Sequence, residues 1–213
     1  MNQNHSENDS PLTVANGILI ASNIAIFLYL NLIGDPSDAA FMYEHGAMIS
    51  DPGILNGAYW RLISCTFLHF NVQHIFNNMV MLLFLGSYVE KTFGSVRYGL
   101  FYLICATISS AVSYGYALAV GNYTVSGGAS GGVFAVMGAL FVIVLCQREK
   151  YRRFRIHRFL FMIALSLYYG FTTAGVDNAA HVGGLLAGIV LGFIFFQFSR
   201  FAALTNESDG DIL

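Results

Sequence analysis

The chain has 213 residues, of which 56% are hydrophobic and only 10% charged, with a formal net charge of −2 and a mean hydropathy of +0.61. A soluble domain carries about 25% charged residues. This composition therefore excludes an ordinary water-soluble domain and points to a polytopic membrane protein built as one compact helical domain.

Taken in order, the first ten residues, MNQNHSENDS, hold no Lys or Arg, so the positively charged start of a cleavable signal is missing. Residues 1–11 are expected to form a short, disordered cytoplasmic tail. Six apolar runs follow, at 12–33, 72–89, 98–120, 130–146, 159–176 and 178–198, to be compared with the ~20 residues that cross a hydrocarbon core. The second and fourth are short, and the second carries Asn77 and Asn78, so both are expected inside the bundle or beside water. The segment 34–71, with Asp35, Asp38, Glu44, Asp51, Trp60 and Arg61, is too long for a turn and reads as an interfacial structure. Residues 12–199 are taken as the domain and 200–213 as a cytoplasmic tail.

The basic residues set the orientation. Lys91 and Arg97 flank the second connection, Arg148, Lys150, Arg152, Arg153, Arg155 and Arg158 fill the fourth, and Arg200 follows the last run, whereas Arg61 alone falls on the other side. The positive-inside rule then places both termini in the cytoplasm. With no organelle-targeting signal read, a bacterial cytoplasmic membrane is the expected location. Cys65, Cys105 and Cys146 are widely spaced without a CxxC, and read as free thiols rather than disulfides or metal ligands.

The stretch 126–145, SGGASGGVFAVMGALFVIVL, runs four glycines and two serines into a membrane-grade helix, with Ser130 at the join. Such glycines permit a tight turn that exposes backbone N–H groups. Ser130 is then either a helix cap or a nucleophile beside helix-end donors. In the orientation above, the second, fourth and sixth runs all begin outside, which brings His74, Asn78, Ser130 and His181 to similar depth. His74 and Asn78, four apart, share a helix face. His181 is either a packing histidine or a functional one. Gly184, Gly188 and Gly192 continue the His181 face and let a neighbouring helix approach closely. Phe134, Met137 and Phe141 of the fourth run are expected as knobs against that groove.

A serine and a neutral imidazole from two packed helices make a nucleophile and its general base. Their reacting atoms are expected at or near ~2.6–3.2 Å. His74, Asn78 and the Ser130 N–H are candidate donors to an oxyanion. Asp177 reads as a helix cap, which leaves a Ser-His dyad. The G-x-S-x-G match at Gly128–Gly132 is accidental, because that elbow needs a strand and a soluble sheet. His69, His74 and His181 lack an HExxH and a carboxylate partner, so no metal is expected.

Trp60-Arg61, His69, the HIFNN of residues 74–78, Glu90 with Gly94, the GASG around Ser130 and the AHVGGLLAG of residues 180–188 together resemble the rhomboid intramembrane serine proteases of minimal six-helix type. The similarity extends over about residues 14–199. It implies an all-α membrane protein, a six-transmembrane-helix bundle with a long interfacial first loop. It also implies Ser130 as nucleophile, His181 as base and His74 with Asn78 at the oxyanion site, supported by Gly128, Gly131 and Phe134. Family members often carry Tyr where Phe134 stands, a change that keeps ring stacking on the imidazole. Trp60, Arg61, His69 and Glu90 are implied to be structural. The reaction implied is endoproteolysis of transmembrane protein substrates near the outer face of the bilayer, with no cofactor and no nucleic-acid partner. An inactive relative that only binds clients, or a proton-coupled transporter, fits less well with intact Ser130 and His181 and with runs free of carboxylates.

Overall fold

The structure, a computed structural model, describes residues 12–49, 51, 57–149 and 156–210. The tail expected at 1–11 lies outside them. Among the described residues, four helical stretches are long and apolar enough to cross a membrane: Val14–Ile33, Val72–Phe93, Ser95–Val120 and Asn178–Phe201. Two shorter apolar helices, Ser130–Cys146 and Phe159–Thr172, accompany them.

Helix α1 (Val14–Ile33) starts without a cap from its own Thr13 side chain. Its free N-terminal N–H groups are satisfied from elsewhere. The Glu90 carboxylate accepts from Ala15 N (2.9 Å), Asn16 N (2.7 Å), Thr13 Oγ1 (2.5 Å) and Ser95 Oγ (2.6 Å). One buried carboxylate therefore fastens the start of the first helix to the far end of the second span.

The connection after α1 has structure of its own. It contains α2 (Ala39–Glu44), strand β1 (Met48–Ile49) and α3 (Arg61–Ser64), followed by a 3₁₀ turn over Cys65–Phe67. Arg61 holds these pieces together. Its Nη1 donates to the carbonyls of Tyr43 (2.5 Å) and Ala47 (2.8 Å), and its guanidinium lies over the Tyr43 and Trp60 rings at 4.2 and 4.7 Å. A planar five-donor cation serves this role where a lysine would not.

The second span comprises α4 (Val72–Met81), a π turn over Leu82–Gly86, and α5 (Ser87–Phe93). Asn71 caps it by accepting from His74 N at 2.8 Å. Helix α6 (Ser95–Val120) ends on Gly121 at φ +68°, the left-handed conformation glycine adopts at little cost. Strand β2 (Val125–Ser126) pairs antiparallel with β1, Met48 opposite Ser126 and Ile49 opposite Val125.

Helix α7 (Ser130–Cys146) is the axis of the bundle, buried on every side over Gly131–Leu140. Its 17 residues give a helix of about 26 Å, short of a ~30 Å hydrocarbon core. A helix sheathed by protein needs no full lipid-facing length, and an apolar surface all round suits that position. Helices α8 (Ile156–Thr172) and α9 (Asn178–Gly210) complete the fold. The last helix continues past Phe198, where its apolar run ends.

One packing expectation is overturned. The glycine face of α9 does not receive Phe134, Met137 and Phe141 as knobs. A Cβ built on Gly184 would fall on the Gly131 carbonyl oxygen, one on Gly188 on the Ala135 carbonyl oxygen, and one on Gly192 would lie 2.7 Å from Ala139 Cα. Small residues therefore face small residues, Gly131, Ala135 and Ala139 against Gly184, Gly188 and Gly192. The reason is separation: with the two backbones in van der Waals contact, no space remains for a phenylalanine between them.

Candidate active site

The loop leading into α7 is clamped before Ser130 is reached. The β1–β2 pair fixes Val125 and Ser126, and Gly128 N donates to the Cys65 carbonyl at 2.8 Å. Gly128 has φ +138°, and a Cβ there would lie 2.6 Å from Cε1 and Nε2 of His74. Glycine is therefore required on two counts, backbone conformation and the close seat of the imidazole. Ser130 follows as the first residue of α7, where helix N–H groups have no partner within the helix.

His181 comes from the first turn of α9, which Asp177 caps through Ala180 N at 2.9 Å. The second Asp177 oxygen accepts from Ser113 Oγ on α6. As the sequence indicates, this carboxylate is spent on the helix end and does not orient the ring. The buried imidazole stacks on Phe134, centroids 4.4 Å apart and planes at 21°. Its Nδ1 faces α8, 3.4 Å from where a Gly170 Cβ would stand. Because Gly184 rests on the Gly131 carbonyl, α9 cannot slide relative to the start of α7 without a steric clash. Ser130 Oγ and the His181 ring form no hydrogen bond among the described residues; they are brought to the same end of one tightly packed helix pair.

On the other side of the loop, Asn78 is buried and its Nδ2 lies 3.2 Å from Nε2 of His69. Ala129 N donates to the same Nε2 at 3.3 Å. His69 and His74 meet edge to face with centroids 4.9 Å apart. Burial, and after it the neighbouring His74, pushes the His69 pKa down to about 3. A neutral ring leaves the Nε2 lone pair free to accept both bonds. His69 thus ties the helix that carries Asn78 to the residue preceding Ser130. Spacing gives no hint of this role, since His69 precedes the helix and follows no periodic pattern; the family resemblance marks it only as structural.

A small polar cavity lies against Ser130, bounded by Ser109, Ser110, Ser126, Cys65 and Asp177. Burial, above all, holds the Cys65 thiol up at about 11, and its Sγ lies 3.3 Å from Ser110 Oγ. Among the described residues, no three His, Cys, Asp or Glu side chains come together as a metal site.

The family model described as the Rhomboid domain matches residues 56–198. The chain is 31% identical over 171 residues to a Bacillus subtilis protein named rhomboid protease GluP, covering 80% of this chain and 32% of that one. It is 34% identical over 197 residues to the Arabidopsis thaliana RHOMBOID-like protein 6, mitochondrial, covering 89% and 62%. It is 29% identical over 181 residues to the rhomboid protease GlpG of Salmonella paratyphi A, covering 83% and 61%. The chain spans between about a third and just under two thirds of the length of these relatives.

Proposed function

The chain belongs to the rhomboid family, and from that premise we propose that it is an intramembrane serine endopeptidase, cutting transmembrane protein substrates with a Ser130–His181 dyad. The observation that carries the reading is the α7–α9 contact. It sets a serine at a helix N-terminus beside a buried histidine stacked on Phe134, with His74 and Asn78 across the loop.

Ser130 Oγ attacks the scissile carbonyl while His181 takes its proton; with Nδ1 turned to α8, the base is Nε2. Negative charge on the tetrahedral oxygen is met by the Ser130 N–H, by the Asn78 amide proton not engaged with His69, and by His74. His181 returns the proton to the leaving amine, and water hydrolyses the acyl-enzyme. The cavity against Ser130, with Ser109, Ser110, Ser126 and Asp177 in its lining, is a place where such a water can be held. A substrate helix must unwind to expose its carbonyl, so helix-weakening residues near the cut favour cleavage. The six apolar helices act as six spans with both termini cytoplasmic, and the dyad lies toward the outer face.

The test is cleavage of a single-span substrate by wild type, Ser130→Ala and His181→Ala in one detergent, with melting curves for each. Wild type cuts, and each variant melts normally and loses nearly all activity. Full activity in either variant ends the proposal.

A further inference from the structure

The second span is not a continuous α-helix. Its π turn, Leu82–Gly86, falls between the half bearing His74 and Asn78 and the half bearing Glu90. A π turn absorbs one extra residue. Twelve residues of straight helix at ~100° each would set Asn78 and Glu90 about 120° apart; with one residue absorbed the angle falls to about 20°. The turn therefore decides which way the oxyanion side of the site faces, given that Glu90 is fixed at the other end by four hydrogen bonds.

Asn16 of α1 is fully buried and bonds both to the first residue of this turn and to the helix beyond it. Its backbone N–H donates to Glu90 Oε2 below at 2.7 Å, and its Nδ2 donates to the Leu82 carbonyl above at 2.8 Å. Its Oδ1 accepts from Tyr98 Oη of α6 at 2.8 Å. Gly86 makes room, since a Cβ there would fall on Asn16 Oδ1 and lie 2.5 Å from Tyr98 Oη. From Leu82 the bonding continues upward: Leu82 N–H donates to the Asn78 carbonyl, the Asn78 amide meets His69, and His69 accepts from Ala129 N.

We infer that Asn16 is a positioning residue for catalysis, which locks the π turn and so sets the rotation of the helix segment that presents Asn78. It touches no reacting atom. The inference rests on the protease reading only for its rate measurements.

Asn23 supplies the control. It is equally buried on α1, but its Nδ2 donates only to its own helix, at Leu19 O (2.8 Å). Asn16→Leu and Asn23→Leu are each made in wild type and in Asn78→Ala, and kcat, KM and melting temperature are measured. Asn16→Leu is expected to lower kcat about 10- to 100-fold with KM changed less than about twofold, since an error near 1 Å at reacting groups costs that much. In the Asn78→Ala background the same substitution should cost several-fold less than in wild type, because His74 is then the one side-chain donor on that segment left to misplace, while its loss of melting temperature persists. Asn23→Leu should leave kcat unchanged in both. A rate loss from Asn16→Leu that multiplies with that of Asn78→Ala, or no rate loss, overturns the inference. If Asn16→Leu does not fold, Asn16→Ser, which deletes the Nδ2 donor to the Leu82 carbonyl but keeps a polar side chain, is judged by the same two criteria. Hydrogen exchange separates this inference from the protease reading. Faster exchange at the Leu82–Gly86 amides in Asn16→Leu but not in Asn23→Leu supports the lock even in a chain that cuts nothing, and unchanged exchange there refutes it.

Discussion

His69 shows how much a single neutral ring can organise. With a pKa of about 3 in the fold against an ordinary 6.5, it binds no proton at any pH where the unfolded chain begins to. Below 6.5 the unfolded state takes up a proton that the folded state refuses, so the stability linked to His69 is complete above 6.5 and erodes as pH falls toward 3. The melting temperature in detergent should therefore fall between pH 6.5 and 4, and His69→Gln, whose amide oxygen accepts the same bonds without titrating, should flatten that slope. Equal slopes would mean that His69 is not the neutral acceptor at the centre of the loop. At this scale the sequence was informative where chemistry and helical spacing coincide. Ser130 and His181 each stand in the first turn of an apolar run, and His74 and Asn78 sit four apart. Spacing marks neither His69 nor Asn16: a loop histidine has no period, so the resemblance alone singles it out, as structural, and an asparagine near a helix start resembles an ordinary polar end residue.

Among the helices, α7 and α9 pack with their backbones in contact, and helical spacing predicts only one of the two faces. The spacing of Gly184, Gly188 and Gly192 identifies the contact face without further information. What faces it does not follow from periodicity, because α7 is apolar on all sides and offers no preferred stripe. Only the backbone separation selects Gly131, Ala135 and Ala139. The corrected geometry sharpens the expected result of substitution. Gly188→Val drives a branched side chain into the Ala135 backbone, which has no rotamer with which to yield. Overpacking of this kind costs about 1–3 kcal/mol, and the helix shift it forces is transmitted two turns up to His181. Gly188→Val should melt earlier and cleave about 100-fold more slowly. Gly192→Val meets Ala139 one turn deeper; it should lose similar stability with a smaller loss of rate. Melting and cleavage assays on both variants in one detergent check this ordering, and a Gly188→Val protein with wild-type rate would show that α9 does not position the base.

Across the whole molecule, the orientation of the bundle is testable with the cysteines it already has. Cys146 is exposed at the last turn of α7, immediately before the Arg- and Lys-rich connection that the positive-inside rule assigns to the cytoplasm. Cys65 and Cys105 are buried, and the Cys65 thiol, held up at about 11, is almost wholly protonated at neutral pH and so unreactive. A membrane-impermeant maleimide should therefore modify one thiol per chain in inverted vesicles and none in right-side-out vesicles, and all three once the protein is unfolded in detergent. Cys146→Ser should abolish the vesicle signal and keep cleavage, because that thiol lies at the opposite end of α7 from Ser130. Cys146 and Ser130 stand at opposite ends of one helix, so labelling of Cys146 from the cytoplasmic side fixes Ser130 toward the outer face. Labelling in right-side-out vesicles would invert the molecule, move the dyad to the inner leaflet, and require substrates to be cut on the cytoplasmic side.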